Sequence, residues 1–392
     1  MKVAVIGGRL QGVEALYLAS KAGWETLLVD KTADVPAAGL CRRFIALDVT
    51  SSTQMPKILE QIDLVIPALE DEAALAALAR SAETVGVPLA YDPQAYALSS
   101  SKLKSNRLFT RVGLDVPVSW PSCGLPVIVK PDASSGSRGV RLINQRAELD
   151  ALTGRGVPPE TWVIQEFLPG PSYSLEVLGA AGRYWPLQVT DLFMDGLFDC
   201  KRVCAPSLLT PSRLIEFNDI AVRIAAALGL TGLMDLEVIL NRDRLVLLEI
   251  DARLPSQTPT AVFWSTGLNM VAMLKDVFVD GRLPAAGTGT KPRAVIYEHV
   301  RVKPGFLEIG GEHLMSRAGP LTVRSGFFGA DEALTDYRPG AGAWVATMIY
   351  CAGTAEAVWA KRRGALETLA REFNIETLID PEAAGPKRVP PP

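Results

Sequence analysis

The chain has 392 residues, 48% of them apolar, enough to bury a large core and to form two or three domains rather than one. Its 40 basic and 43 acidic residues are interspersed and leave a formal charge of −3, so there is no basic stripe for nucleic acid. No apolar run approaches the roughly 20 residues of a membrane helix, and the opening MKVAVIGG reads as a buried strand rather than a signal peptide, which points to the cytoplasm.

The first ninety residues alternate strand and helix. VAVIG, TLLVD, FIALD and DLVIPAL are apolar runs of strand length separated by the helical stretches VEALYLASKAG and EDEAALAALARSAETVG, the pattern of parallel β-α-β units. The first turn, Gly7 to Gly12, opens a helix after a strand, and Asp30 closes the second strand. A dinucleotide turn needs a glycine where this chain has Arg9, which disfavours a nicotinamide site. The helix start can still take a smaller anion, or be a tight turn with no ligand. Glu70 follows the fourth strand at its carboxyl end, where α/β folds place ligands, or it serves only as an acid at the start of the next helix.

SSSKLKSNRLFTRVG is a polar entry into a short basic helix; Lys102 and Lys104 would ordinarily be solvated there. In LPVIVKPDASSGSRGVRLI a strand ends at Lys130, and the small residues from Ser134 to Gly139 expose backbone amides in a loop that can fold over phosphates. It is not a Walker A loop, because no Gly-Lys-Ser/Thr follows at the required spacing. TWVIQEFLPG is a strand leading into a turn, and SYSLEVLGAAGRYWPLQVTDLF reads as antiparallel strands that put Ser174 and Glu176 on one face.

GLMDLEVILNRDRLVLLEIDARLPSQTP reads as a hairpin with Glu237 on its first strand and Glu249 and Asp251 sharing a face of the second. Converging carboxylates repel, and a hard cation, magnesium, would relieve them; the alternative is a surface ion pair between Asp251 and Arg253 at the strand end. Beyond it, AVFWSTGLNMVAMLKDVFVDG reads as one long helix, KPRAVIYEHVRV and AWVATMIYCAGT as further strands, TAEAVWAKRRGALETLAREF as a closing helix, and 381–392 as a disordered tail. Five cysteines without a CxxC pair suggest reduced structural thiols, and two histidines make a histidine relay a poor expectation.

The spacing Glu237-x11-Glu249-x-Asp251-x-Arg253, with the lid loop and the strand after it, resembles the ATP-grasp ligases from about Lys102 to Pro259, although that family usually has Asn at the position of Asp251. The resemblance implies an α/β fold with a Rossmann-like domain over 1–97, a central lid domain over 98–170 and a mixed-sheet domain over 171–380. It implies ATP held by Lys102, Lys130, Ser137, Arg138 and Gly139, and by the hinge Gln165, Glu166, Phe167 and Leu168. Magnesium would sit on Glu237, Glu249 and Asp251, with Lys130 and Arg253 as catalytic residues. GGRLQG, VDK, SLEV, MDLE and EIDARLPSQTPT narrow the likeness to the 3-methylornithine–lysine ligases of pyrrolysine biosynthesis. These would join the carboxylate of 3-methyl-D-ornithine, or D-ornithine, to the side-chain amine of L-lysine through an acyl phosphate. Ser174, Leu175, Glu176, Asp235 and Ser256 would then bind the ornithine, and Leu10, Gln11 and Glu70 the lysine. Arg9, Asp30, Asp48 and Val49 are candidates for a second nucleotide, and a homodimer stays open. Rival readings are another carboxylate–amine ligase, an NAD-linked oxidoreductase or a non-catalytic amino-acid sensor.

Overall fold

The computed structural model describes residues 1–51, 53–154, 161–285 and 292–381; the expected disordered tail therefore lies, beyond Pro381, outside the described residues. The N-terminal segment alternates as expected: β1 (Lys2–Ile6), α1 (Leu10–Lys21), β2 (Glu25–Asp30), β3 (Arg43–Ala46), α2 (Met55–Leu59), β4 (Leu64–Pro67) and α3 (Glu72–Val85). Its strands are parallel, in the order β3-β2-β1-β4. Val3 and Val5 pack on one face with Val13 and Leu16 of α1, whereas Ala4 and Ile6 face Met55, Leu59 and Leu78 of α2 and α3. The two-residue period of β1 thus feeds two cores, each buried Val, Leu or Ile contributing roughly 1.5–3 kcal/mol.

Next come α4 (Pro93–Ser99) and α5 (Lys102–Arg111), then β5 (Val127–Pro131), β6 (Arg141–Ile143), α6 (Arg146–Thr153) and β7 (Trp162–Glu166). The strands form an antiparallel sheet ordered β6-β5-β7, with Leu149 of α6 packed on Val127, Val129 and Ile143. This core is much smaller than the others.

The remainder builds one large sheet. Its elements are β8 (Ser172–Ala180), β9 (Arg183–Pro186), β10 (Thr190–Met194), β11 (Cys200–Ala205), α7 (Pro211–Leu228), β12 (Gly232–Asn241), β13 (Arg244–Asp251), α8 (Thr258–Thr266), α9 (Met270–Phe278), β14 (Ala294–Lys303), β15 (Phe306–Gly310), β16 (Thr322–Ser325), β17 (Glu332–Thr335), β18 (Trp344–Ala352), α10 (Ala355–Glu372) and β19 (Thr377–Ile379). The strand order is β13-β12-β8-β10-β11-β14-β18-β17-β16. On β8, Tyr173, Leu175 and Val177 join Phe217 and Ile224 of α7 in a core, which leaves Ser174 and Glu176 on the opposite face. The single long helix expected after the hairpin is two helices: Gly267 ends α8 at φ +81°, and Asn269 caps α9 by accepting from the amides of Val271 and Ala272. Among the described residues no helix is long and apolar enough to cross a membrane, and all five cysteines are free thiols. We keep 1–97, 98–170 and 171–380 as our proposal for the domains; the first limit falls within α4.

Two polar networks tie the ends of the chain to its middle. Tyr17 of α1 donates to Glu332 at 2.5 Å and accepts from Trp264 Nε1 at 2.8 Å, while Lys21 pairs with Glu332 at 2.8 Å. At the other end, Glu298, wholly buried, pairs with Arg202 and Arg362 at 2.8 Å each, and Asp380 reaches back to Lys201 at 2.6 Å and Arg202 at 2.9 Å.

Candidate functional site

The N-terminal segment, the lid sheet and the β12–β13 hairpin enclose a cavity of about 1480 Å3. In the hairpin Asp235 stands opposite Asp251, and Glu237 opposite Glu249, with a bulge immediately after Glu237. The register therefore gathers four carboxylates on one face, one more than the sequence reading assigned to the metal, because Asp235 was expected only to bind substrate. Burial, and then the neighbouring carboxylate, raises Glu237 to about 7 and Asp235 well above the ordinary range. Asp251 is raised to about 6, chiefly by burial, with Arg253 opposing the rise. Oδ1 of Asp235 and Oδ1 of Asp251 are buried without a hydrogen-bond partner. Oxygen donors crowded in this way fit a divalent cation that takes oxygen ligands.

The cations are placed to match. Lys102, just inside the Ser101-capped start of α5, lies 3.0 Å from Glu249, and Lys130 at the end of β5 lies 3.8 Å from it. Arg253 does pair with Asp251, at 2.6 Å, but away from the surface, and its second contact is Glu70 at 2.8 Å. The expected alternative of a plain surface pair is therefore replaced by a bridge from the hairpin to the N-terminal segment.

The lid loop is closed over this cluster. Lys102 Nζ donates to the carbonyl of Ser134 at 2.6 Å, Ser135 Oγ to Glu70 at 2.6 Å, and Ser137 Oγ to the carbonyl of Phe198 at 2.6 Å. Gly136, at φ +59°, passes so close to Glu312 that an added Cβ would stand 3.1 Å from its Oε1. Ser137 and Arg138 line the cavity; Gly139 does not, and backs onto Pro131. Gln165, Glu166, Phe167 and Leu168 line it as a row at the hinge, where Glu166 Oε1 accepts from the Val118 amide at 2.8 Å and Phe167 meets Phe198 edge-on.

Of the residues expected to bind ornithine, Ser174, Asp235 and Ser256 line the cavity, whereas Leu175 and Glu176 do not. Leu175 points into the core beneath α7, because adjacent strand residues face opposite ways. Glu176 is fully buried behind Ser174, which lies 3.3 Å from it, and burial raises it to about 7. The run after the hairpin was legible only as a motif: Gln257 adopts φ +70°, ψ −60°, and Thr258 N donates to Ser256 O at 2.9 Å, a γ-turn of the strained kind. It aims Gln257 and Ser256 at Glu312, at 3.1 Å and 2.7 Å.

At the N-terminal end, Gly7 has φ +106° and a Cβ there would meet the Ala68 carbonyl at 2.3 Å. Gly8 N donates to Asp30 Oδ2, and Thr32 N to Asp30 Oδ1, so Asp30 is used in building the turn; Asp48 likewise accepts from Thr50. Leu10, Gln11, Arg9 and Val49 line this end with them. Glu70 does not cap α3, since Asp71 does, accepting from Ala74 N. Its oxygens receive Gln11 Nε2 at 2.9 Å, Arg253 and Ser135.

Three cavity residues carried no sequence signal as site residues: Glu312, His313 and Asp199, the last two joined at 2.7 Å. Asp195, Asp199 and His313 lie close enough for a cation, but the amides of Leu197, Asp199, Gly311 and His313 already engage the carboxylates, which hold two loops together. His299 is buried beside Thr347 and kept neutral, burial lowering it to about 3.

Residues 99–257 match the ATP-grasp domain family. The 3-methyl-D-ornithine–L-lysine ligase of Methanosarcina mazei is 34% identical over 316 residues, spanning 80% of this chain and 82% of that protein. The chain belongs to the 3-methyl-D-ornithine–L-lysine ligase family. The family member of Methanosarcina barkeri is 32% identical over 375 residues, 95% of this chain and 98% of its own length. The biotin carboxylase domain of Hydrogenobacter thermophilus 2-oxoglutarate carboxylase, solved with MgADP, superposes with a TM-score of 0.71 over 94% of this chain and 89% of that one; at 17% identity it shares the fold alone. As an ATP-grasp member of the ligase family, the protein is an ATP-dependent, ADP-forming ligase.

Proposed function

We propose that the enzyme joins the carboxylate of 3-methyl-D-ornithine to the side-chain amine of L-lysine, in pyrrolysine biosynthesis, and that D-ornithine serves as a simpler substrate. The observation that carries this reading is the Arg253 bridge, in which one guanidinium touches Asp251 of the carboxylate hairpin and Glu70 of the N-terminal segment. It links a phosphoryl-transfer end to an end suited to an amine.

The diamino acid's carboxylate takes the terminal phosphoryl of ATP and ADP leaves. The lysine nitrogen then attacks the acyl carbon, phosphate departs, and the amine gives up a proton. Lys102, Lys130 and Arg253 offset the negative charge that gathers as the phosphoryl group moves, acting at fixed positions from which bulk water is excluded. Glu237, Glu249 and Asp251 are our ligands for magnesium, which would supply Lewis-acid charge to the same group. The loop from Ser134 to Gly139 keeps water from the acyl phosphate. Ser174, Asp235 and Ser256 are our contacts for the diamino acid, and Glu70 with Gln11 and Leu10 for lysine.

The test is incubation with MgATP, L-lysine and D-ornithine, read by mass spectrometry and an ADP assay. Lysine-dependent ADP release with a dipeptide mass supports the reading. Turnover only with other amino-acid pairs would make the protein a different carboxylate–amine ligase.

A further inference from the structure

Glu312 enters the cavity from the 3-10 turn Glu312–Arg317 after β15, and no step described above uses it. Its Oε2 accepts from Ser256 Oγ at 2.7 Å and Gln257 Nε2 at 3.1 Å. Its Oε1 accepts from no described residue and lies under the lid tip at Gly136. Lys102 and Lys130 pair with Glu249, and Arg253 with Asp251 and Glu70; of the other basic side chains that line the cavity, Arg9, Lys31, Arg138 and Arg317, none lies within ion-pair distance of Glu312. Glu312 forms no ion pair with them. Burial, reinforced by Asp199, raises its carboxyl above the usual range against the opposing hydrogen bonds of Ser256 and Gln257 and the charge of Arg253, and a cation brought to Oε1 would favour its ionised form.

We propose that Glu312 recognises the distal ammonium of the diamino acid whose carboxylate is activated, an inference that rests on the proposed function. The reacting carboxylate must lie at the lysine-lined end, beside the carboxylate hairpin. The far ammonium then needs an anionic acceptor away from those lysines, and Glu312 is one that the strained turn at Gln257 holds in position and the lid closes over. A charge-assisted N–H···O bond formed there reads both the charge and the chain length of the substrate. A site built to bind a substrate N–H rejects an analogue without it by large factors.

The full-length enzyme is assayed with MgATP and L-lysine against D-ornithine and D-norvaline, which has the same carbon skeleton without the distal amine. Glu312→Gln is expected to lower the wild-type preference for D-ornithine by about tenfold or more in kcat/KM, through KM for D-ornithine, with KM for ATP and lysine nearly unchanged. Glu312→Asp keeps the charge but withdraws it by one methylene, so its kcat/KM ratio for D-lysine over D-ornithine should rise by about tenfold. This second variant decides the matter should the first not fold. Unchanged ratios in folded variants overturn the role of Glu312 while leaving the ligase reading standing. A wild-type enzyme that turns over no diamino acid overturns the ligase reading, and this inference with it.

Discussion

Glu249 is the residue on which the two charge systems of the site meet, facing Glu237 across the hairpin and Lys102 and Lys130 across the cavity. Replacing it by Gln removes the anion from both. Turnover should fall below detection while circular dichroism and thermal unfolding stay close to wild type; full activity with normal magnesium dependence would refute the metal assignment. Glu14 allows a different test. Buried on α1, it accepts from the Thr260 amide at the start of α8, and desolvation raises it from 4.5 to about 7 against the opposing effect of that bond. A carboxyl raised on folding favours the native state fully below pH 4.5, and that benefit is lost as pH climbs through 7, by on the order of 3 kcal/mol. Denaturation of Glu14→Gln between pH 5 and 8 should therefore show a flatter profile than wild type, and parallel profiles would contradict the burial argument. At this scale the sequence revealed the acids of the hairpin, since a period of two and a short turn bring Glu237 opposite Glu249, 12 positions on, and Asp235 opposite Asp251, 16 positions on. It concealed Glu312, because nothing local marks a carboxylate that meets Ser256 from 56 residues away.

The lid sheet is the element whose behaviour the reaction depends on. Its loop is fastened on three sides by single hydrogen bonds, two of them to the charged groups of Lys102 and Glu70 and worth roughly 1.5–3 kcal/mol each, the third to the carbonyl of Phe198 and worth roughly 0.5–1.5 kcal/mol. Deleting part of 134–139 should let ADP release outrun dipeptide formation, because the acyl phosphate then meets water first. Equal yields of the two products would mean that the loop does not shield the intermediate. The existence of the loop was readable from its Ser and Gly content; its contacts were not, because each partner sits on another element. The break between α8 and α9 was missed for the opposite reason. The apolar pattern runs straight through Gly267, and only the left-handed glycine followed by the capping Asn269 divides it.

The molecule as a whole is held by charges that only distant parts of the chain can neutralise. Lys201, Arg202 and Arg362 are almost wholly buried, and Asp380 supplies one of the two carboxylates that balance them. Asp380→Asn leaves an excess of buried positive charge and should lower stability by about 2 kcal/mol, less than for a fully enclosed pair because the aspartate is partly exposed. Urea unfolding measures it, and an unaltered midpoint would show the cations to be balanced without it. The same long reach governs Glu70, whose two oxygens are shared among Gln11, Arg253 and Ser135, one from each of the three segments. If this carboxylate receives the lysine ammonium, its remaining acceptor direction is on Oε2, the oxygen that already takes the hydroxyl of Ser135 from the lid loop. On that assignment the second substrate and the shut cover are bolts seated in one keep, and the amine is already in place behind the loop when the acyl phosphate forms.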